Sequence, residues 1–167
     1  FPDPHLIREI AAHILAQNPT ATRVLLIGGG ITGLAQILSS VGVARVDVVL
    51  MDPWERRLLG EHLPEADRRA LREGKVRVLT SDPRRLLGQG SQKNPGVPNG
   101  ELKYDTIVSL AGLPTSASAN RLFTMEHFQA VARAAGDGVV LVFFTRHEPT
   151  VLPKEEQRTL ASLHRTL

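Results

Sequence analysis

From end to end the chain alternates short apolar runs with segments whose apolar residues recur at helical spacing. His5–Gln17 (HLIREIAAHILAQ) shows the helical period and predicts a helix. Arg23–Ile27 predicts a first strand, Thr32–Ser40 a helix and Val46–Met51 a second strand. From Pro53 to about Glu73 the pattern is helical again, interrupted near Pro64. Pro53 suits a first helical turn, because its missing N–H would be unpaired there anyway. Val76–Thr80 predicts a third strand, Pro83–Leu87 a short helix and Tyr104–Leu110 a fourth strand. Thr124 reads as an N-cap without a capping box, since His127 stands three residues on, and Glu126 favours the positive helix end. That helix is expected to reach about Ala135. Gly136-Asp137-Gly138 then turns the chain into Val139–Phe144, the most apolar strand, and Pro153–Leu167 begins a last helix. Strands apolar on both faces, separated by helices, predict a mostly parallel sheet covered on both sides: a three-layer α/β domain.

Two segments break this rhythm. Gly88–Lys103 (GQGSQKNPGVPNGELK) is too polar and too rich in Gly and Pro to order itself, and predicts a mobile loop. Leu110–Asn120 (LAGLPTSASAN) follows the fourth strand at its carboxyl end, where open α/β sheets keep their ligands. At 167 residues a single domain over 1–167 is expected, large enough for a proper core. The chain starts at Phe1, which points to a piece of something longer. No run is long enough to cross a bilayer, and no signal peptide is visible. Without cysteine, disulfides and thiolate metal sites are excluded, and a reducing, cytoplasmic setting is compatible. The net charge of +3 raises the question of nucleic acid, but the arginine pairs are scattered and aromatics few, so no nucleic-acid partner is expected.

Candidate chemistry concentrates in Arg23–Pro53 (RVLLIGGGITGLAQILSSVGVARVDVVLMDP). A strand, the glycine turn Gly28-Gly29-Gly30, a helix and a second strand ending in Asp52 make a unit that grips a nucleoside. Glycines let backbone and ligand approach closely, the helix start offers unpaired N–H groups, and the acid can accept both ribose hydroxyls. Gly28-x-Gly30-x-x-Gly33 also spells the dinucleotide fingerprint, so NAD or FAD is one reading. The short chain argues against a flavin, and the lack of a recognisable catalytic constellation argues against a nicotinamide.

The downstream series is more specific. The glycine turn, Asp52 after strand two, Ser81-Asp82 after strand three, Tyr104-Asp105 opening strand four and LFTMEHFQAVARAAGDGVVLVF follow in order. Here the chain resembles the spermidine synthase (aminopropyltransferase) family, within the class I S-adenosylmethionine methyltransferase fold, over about Ile10 to Phe144. The resemblance implies a Rossmann-like sheet of order 3-2-1-4-5, truncated after the fifth strand. It implies that Asp52 holds ribose hydroxyls and Asp82 reads the adenine amino group. Gly28 and Gly30 match the turn beside the methionine-derived tail; with Gly29, Ser81 and Ser109 they complete the expected binding set. The implied ligand is S-adenosylmethionine, its decarboxylated form or a thioether nucleoside, with a polyamine as candidate second substrate.

The family's amine-handling acids are replaced. Ile31 stands where the first motif (GGGDGG) has Asp, and Leu110 and Leu113 stand where the strand-four motif has its aspartates. Should the register slip by one, Ser109 takes one of those places. A protonated amine needs a base and counter-charges before it can attack, and Leu and Ile offer neither. The sequence therefore names no catalytic residue. Three readings stay open: a transferase (aminopropyl or methyl), a nucleoside-binding domain without turnover, and a scaffold within a larger, membrane-attached chain. A homodimer is likewise left open.

Bland roles compete at several positions. Trp54 is expected to pack against the second helix and Asp105 to face solvent or a neighbouring helix. Asp82 can simply cap the short helix. His5, His13 and His127 lack metal-ligand spacing and are assigned surface or packing roles; no metal is expected. Ser109, Thr115, Ser116 and Ser118 are expected at the pocket rim, without the His–acid partner a nucleophilic serine requires.

Overall fold

A computed structural model describes residues 3–88, 103–110 and 120–144. Helix α1 (Pro4–Gln17) starts under Asp3, whose carboxylate accepts from the His5 N–H at 2.9 Å. Strand β1 (Arg23–Ile27) runs into the glycine turn and α2 (Leu34–Ser40); β2 (Arg45–Leu50) leads to α3 (Pro53–His62) and α4 (Glu65–Arg72). Then come β3 (Val76–Thr80), α5 (Pro83–Gly88), β4 (Tyr104–Ser109), a 3-10 turn (Arg121–Phe123), α6 (Met125–Ala134) and β5 (Ala135–Phe143). The five strands are parallel where paired, in the order β3-β2-β1-β4-β5. This is the expected doubly covered sheet.

Alternation along each strand divides the core in two. Val24 and Leu26 of β1, with Val46 and Val48 of β2, face α1, α2 and α4 through Ile14, Leu34, Leu38 and Ala70. Leu25, Ile27, Val49 and Ile107 face the other way, onto Leu86 and Leu87 of α5 and Ala130, Val131 and Ala134 of α6. Burying both faces leaves the strand edges and the carboxyl rim as the places where polar chemistry can sit.

Two charged contacts tie the amino ends of the strands. Asp47 of β2 is buried at 1% exposure and accepts from Arg77 at 2.6 Å and 2.9 Å and from the Tyr104 hydroxyl at 2.8 Å. Burial and the Asp47 charge push the Tyr104 phenol up, which keeps it a donor. Asp105 accepts from the Thr22 N–H and hydroxyl, both at 2.7 Å, and from the Arg23 N–H at 3.0 Å. It faces the entry to β1, not solvent or a helix: the start of a parallel strand has N–H groups to satisfy, and a neighbouring carboxylate does so.

Three other expectations are corrected. Trp54 is 66% exposed, with the Arg57 guanidinium 5.6 Å from its ring centroid, because α3 buries none of its residues. The break at Pro64 lets α4, not α3, supply a buried residue (Ala70) to the core. The glycines at 136–138 lie inside β5: the ladder pairs Tyr104 with Ala135 and then Thr106 with Val140, so the register shifts where a turn was expected. The helix after the glycine turn starts at Leu34 rather than Thr32. The predicted loop interior, the serines beyond Leu110 and the last helix lie outside the described residues.

Candidate functional site

The carboxyl ends of β2 and β3 open onto a cavity of about 440 Å³. Its described lining is Met51, Asp52, Pro53, Glu55, Asp82, Arg121 and Leu122. Asp52 and Asp82, thirty positions apart in sequence, come to the same wall because β2 and β3 are adjacent and parallel. Each acid also starts a helix. Asp52 Oδ1 accepts from the Trp54 N–H at 2.9 Å, and its second oxygen has no hydrogen-bond partner among the described residues. Asp82 accepts from the Arg84 N–H at 2.9 Å and from the Arg84 guanidinium at 3.0 Å and 3.3 Å. The guanidinium holds the Asp82 carboxyl below the usual carboxylate range, so it stays ionised in the cavity. Capping and lining the cavity are thus combined in one side chain at both positions.

Sequence reasoning missed two of the lining residues that carry charge. Glu55 sits one helical turn after Asp52, a spacing that could have signalled it; burial, then the nearby Asp52 charge, push its carboxyl up. Arg121 comes from the 3-10 turn, and no local pattern marks it.

The other expected residues lie at the same edge without lining the cavity. Gly28, Gly29 and Gly30 are half-buried with φ of 81°, 153° and 90°, and Gly28 N–H donates to the Val49 carbonyl at 3.2 Å. A Cβ on Gly30 would meet Leu26 Cδ1 at 2.8 Å and Leu110 Cδ1 at 3.0 Å, so only glycine fits beneath Leu110. The Ser81 hydroxyl donates to the Asp82 carbonyl at 3.3 Å. Ser109 ends β4 buried rather than at a rim, and its hydroxyl has no hydrogen-bond partner among the described residues. His127 on α6 is 1% exposed, with Nδ1 unpartnered among the described residues; burial pulls its pKa down to about 4. Ile31, the most conspicuous replacement, is buried in the core beneath the turn, and half-buried Leu110 packs against the same cluster. Leu113 lies outside the described residues. Among the described residues no group of His, Asp or Glu is arranged to hold a metal ion, and no helix is long and apolar enough to cross a membrane.

A spermidine synthase in complex with the transition-state analogue AdoDATO superposes with a TM-score of 0.67 at 16% identity, over 98% of this chain and 51% of its own. The chain shares the fold of that synthase. Spermidine synthase from Thermotoga maritima gives 0.65 at 14% identity, over 99% of this chain and 50% of its own. An S-adenosylmethionine-bound amino pentose methyltransferase from Micromonospora echinaspora gives 0.50 at 24%. Those likenesses show the class I methyltransferase fold. In sequence, the chain is similar to the polyamine aminopropyltransferase of Sodalis glossinidius, 26% identical over 142 residues. It is also similar to polyamine aminopropyltransferase 2 of Streptomyces coelicolor, 31% identical over 145 residues. Each alignment covers 84% of the chain but only 46% and 24% of the relative, so the chain spans half or less of these relatives. No family model matches it.

Proposed function

We propose that this chain binds an adenosine thioether or sulfonium: S-adenosylmethionine, its decarboxylated form or a thioether product. The observation that carries the reading is the meeting of Asp52 and Asp82 on one cavity at the carboxyl edge of the sheet. Its volume suits a small ligand, and two ionisable acceptors match a ligand rich in hydroxyl and amino donors. Asp52 would take the ribose hydroxyls on its unengaged oxygen, and Asp82 the adenine amino group. The glycine turn would pass the sulfur-bearing tail. Support comes from solved relatives of this fold, described with AdoDATO and with S-adenosylmethionine bound. A sulfonium ligand would supply an activated carbon beside its sulfur, leaving as the neutral thioether; a thioether ligand would supply none.

Ordinary aminopropyl transfer to a polyamine is not part of the proposal. Leu110 packs over Gly29 and Gly30, and Ile31 is buried in the core. Neither can take a proton from an attacking ammonium or offset its charge. A methyl acceptor that is already nucleophilic needs alignment alone, so a methyltransferase is the second reading that this apolar wall favours.

Calorimetric titration with S-adenosylmethionine, decarboxylated S-adenosylmethionine and methylthioadenosine tests the reading. We expect at least one to bind, and Asp52→Asn to weaken it about tenfold by removing a charged acceptor. Asparagine caps as well as aspartate, so the melting temperature should not move. If none binds, the scaffold reading replaces this one. Conversion of putrescine with the decarboxylated form would show that the lost acids are not needed.

A further inference from the structure

A second cavity, of about 330 Å³, lies between α1, α2 and α4. Its walls are mainly apolar, with Ile7 from α1, Ile37 from α2 and Pro64 and Ala66 where α4 begins. Two groups of opposite charge share it. Asp67 of α4 is enclosed, at 4% exposure. One of its oxygens accepts from the Gly33 N–H at 2.9 Å, and the other has no partner among the described residues. Burial pushes its carboxyl up, the Gly33 N–H opposing. Arg8 of α1 is exposed and has neither ion pair nor hydrogen bond among the described residues. Asp67 and Arg8 therefore line one small cavity without closing on each other. Holding Gly33 needs a single acceptor oxygen, which an amide would supply without a charge. The carboxylate is left with no counter-charge where burial calls for one.

We propose that this cavity is a binding site for an α-amino acid with an aliphatic side chain. Its ammonium meets the open oxygen of Asp67, its carboxylate meets Arg8, and its side chain lies against Ile7 and Ile37. Charge complementarity selects the ligand. A plain amine would be drawn to Asp67 and repelled by Arg8, and a plain carboxylate would meet the reverse. A zwitterion satisfies both groups, and its apolar body suits the walls. An ammonium has three donors, and the Thr32 hydroxyl and Gln36 amide oxygen are further acceptors on the same lining. The site stands apart from the nucleoside reading and does not depend on it.

Calorimetric titration of leucine, isopentylamine and 4-methylpentanoate into the native chain, Asp67→Asn and Arg8→Gln tests this. Isopentylamine is leucine without its carboxylate, and 4-methylpentanoate is leucine without its ammonium. Leucine should bind the native chain about tenfold or more tighter than either analogue, because each lacks one charged hydrogen bond. Asp67→Asn keeps an acceptor for Gly33 and removes the charge. It should weaken leucine and isopentylamine about tenfold without weakening 4-methylpentanoate. Arg8→Gln should weaken leucine and 4-methylpentanoate without weakening isopentylamine. Arg8 is exposed, so this second variant decides the matter even where Asp67→Asn lowers the melting temperature. Absence of leucine binding to the native chain overturns the inference. Isopentylamine bound as tightly as leucine overturns it too, since the cavity would then take a plain amine. Leucine affinity unchanged by either variant does the same. The nucleoside titrations described above are unaffected by any of these results.

Discussion

Single residues here combine structural and ligand-facing roles, and the combination decides how each should be tested. Asp52 and Asp82 were legible because each follows an apolar strand and precedes proline, where an acid either caps or binds; the structure shows that both cap and both line one cavity. Trp54 departs from the expectation because an aromatic beside a strand end ordinarily packs inward, whereas α3 buries none of its residues and meets the core only through half-buried Leu59. His127 makes a prediction of its own. Its folded pKa, about 4, lies below the ordinary histidine value because burial disfavours the charged ring; the nearby Arg84 adds to this and Asp82 opposes it. The native state then binds fewer protons than the unfolded chain. Stability from this group is full above about pH 6.5 and falls as pH drops towards about 4, by about 3 kcal/mol over the window. His127→Phe should remove that part of the acid sensitivity, read as a flatter plot of urea midpoint against pH. An equal slope in both proteins would show that His127 is not the group responsible.

At the level of elements, boundaries followed local chemistry and went astray where a neighbouring strand decided. Asp3, Asp52 and Thr124 start helices as their types predict; the Thr124 hydroxyl accepts from the His127 N–H at 3.3 Å. The start of β5 was hidden, because pairing with β4 draws glycines that favour a turn into the ladder. Asp105 shows the same dependence. Nothing local distinguishes it from a solvated acid, yet it joins β4 to the entry of β1 through three hydrogen bonds. Asp105→Ala should cost about 2–3 kcal/mol by leaving strand-entry amides unpaired. The loss should appear in urea denaturation. Methylthioadenosine affinity should be unchanged, since the contact lies at the amino edge of the sheet and the cavity at the carboxyl edge.

Across the whole molecule, one sheet serves two cores, and β1 at its centre feeds both. Leu25 and Leu26 are adjacent and fully buried, yet they point into different clusters. Leu25→Ala and Leu26→Ala should each cost about 2–5 kcal/mol through lost burial and a residual cavity. Each variant should still melt in one transition, because the shared strands couple the two layers. Two separable transitions in either variant would show that the layers fold independently. The same architecture places the glycine turn, the cavity and the α2 start along one rim, so changes in either layer can reach the site.

By itself the sequence determined the element order, the parallel three-layer class and the two acids, because periodicity, caps and strand-end acids are local signals. It also identified Ile31, Leu110 and Leu113 as apolar replacements, since residue type alone decides whether a proton can be taken. Tertiary structure alone decided which groups meet. It brought Arg121 to the cavity, buried Ser109 and His127, and set Asp67 on the Gly33 amide. A hydrogen bond between two helices depends on where the chain folds back, and no local period encodes that. The glycine turn was readable from its spacing; that the Gly33 N–H donates to a carboxylate from another helix was not.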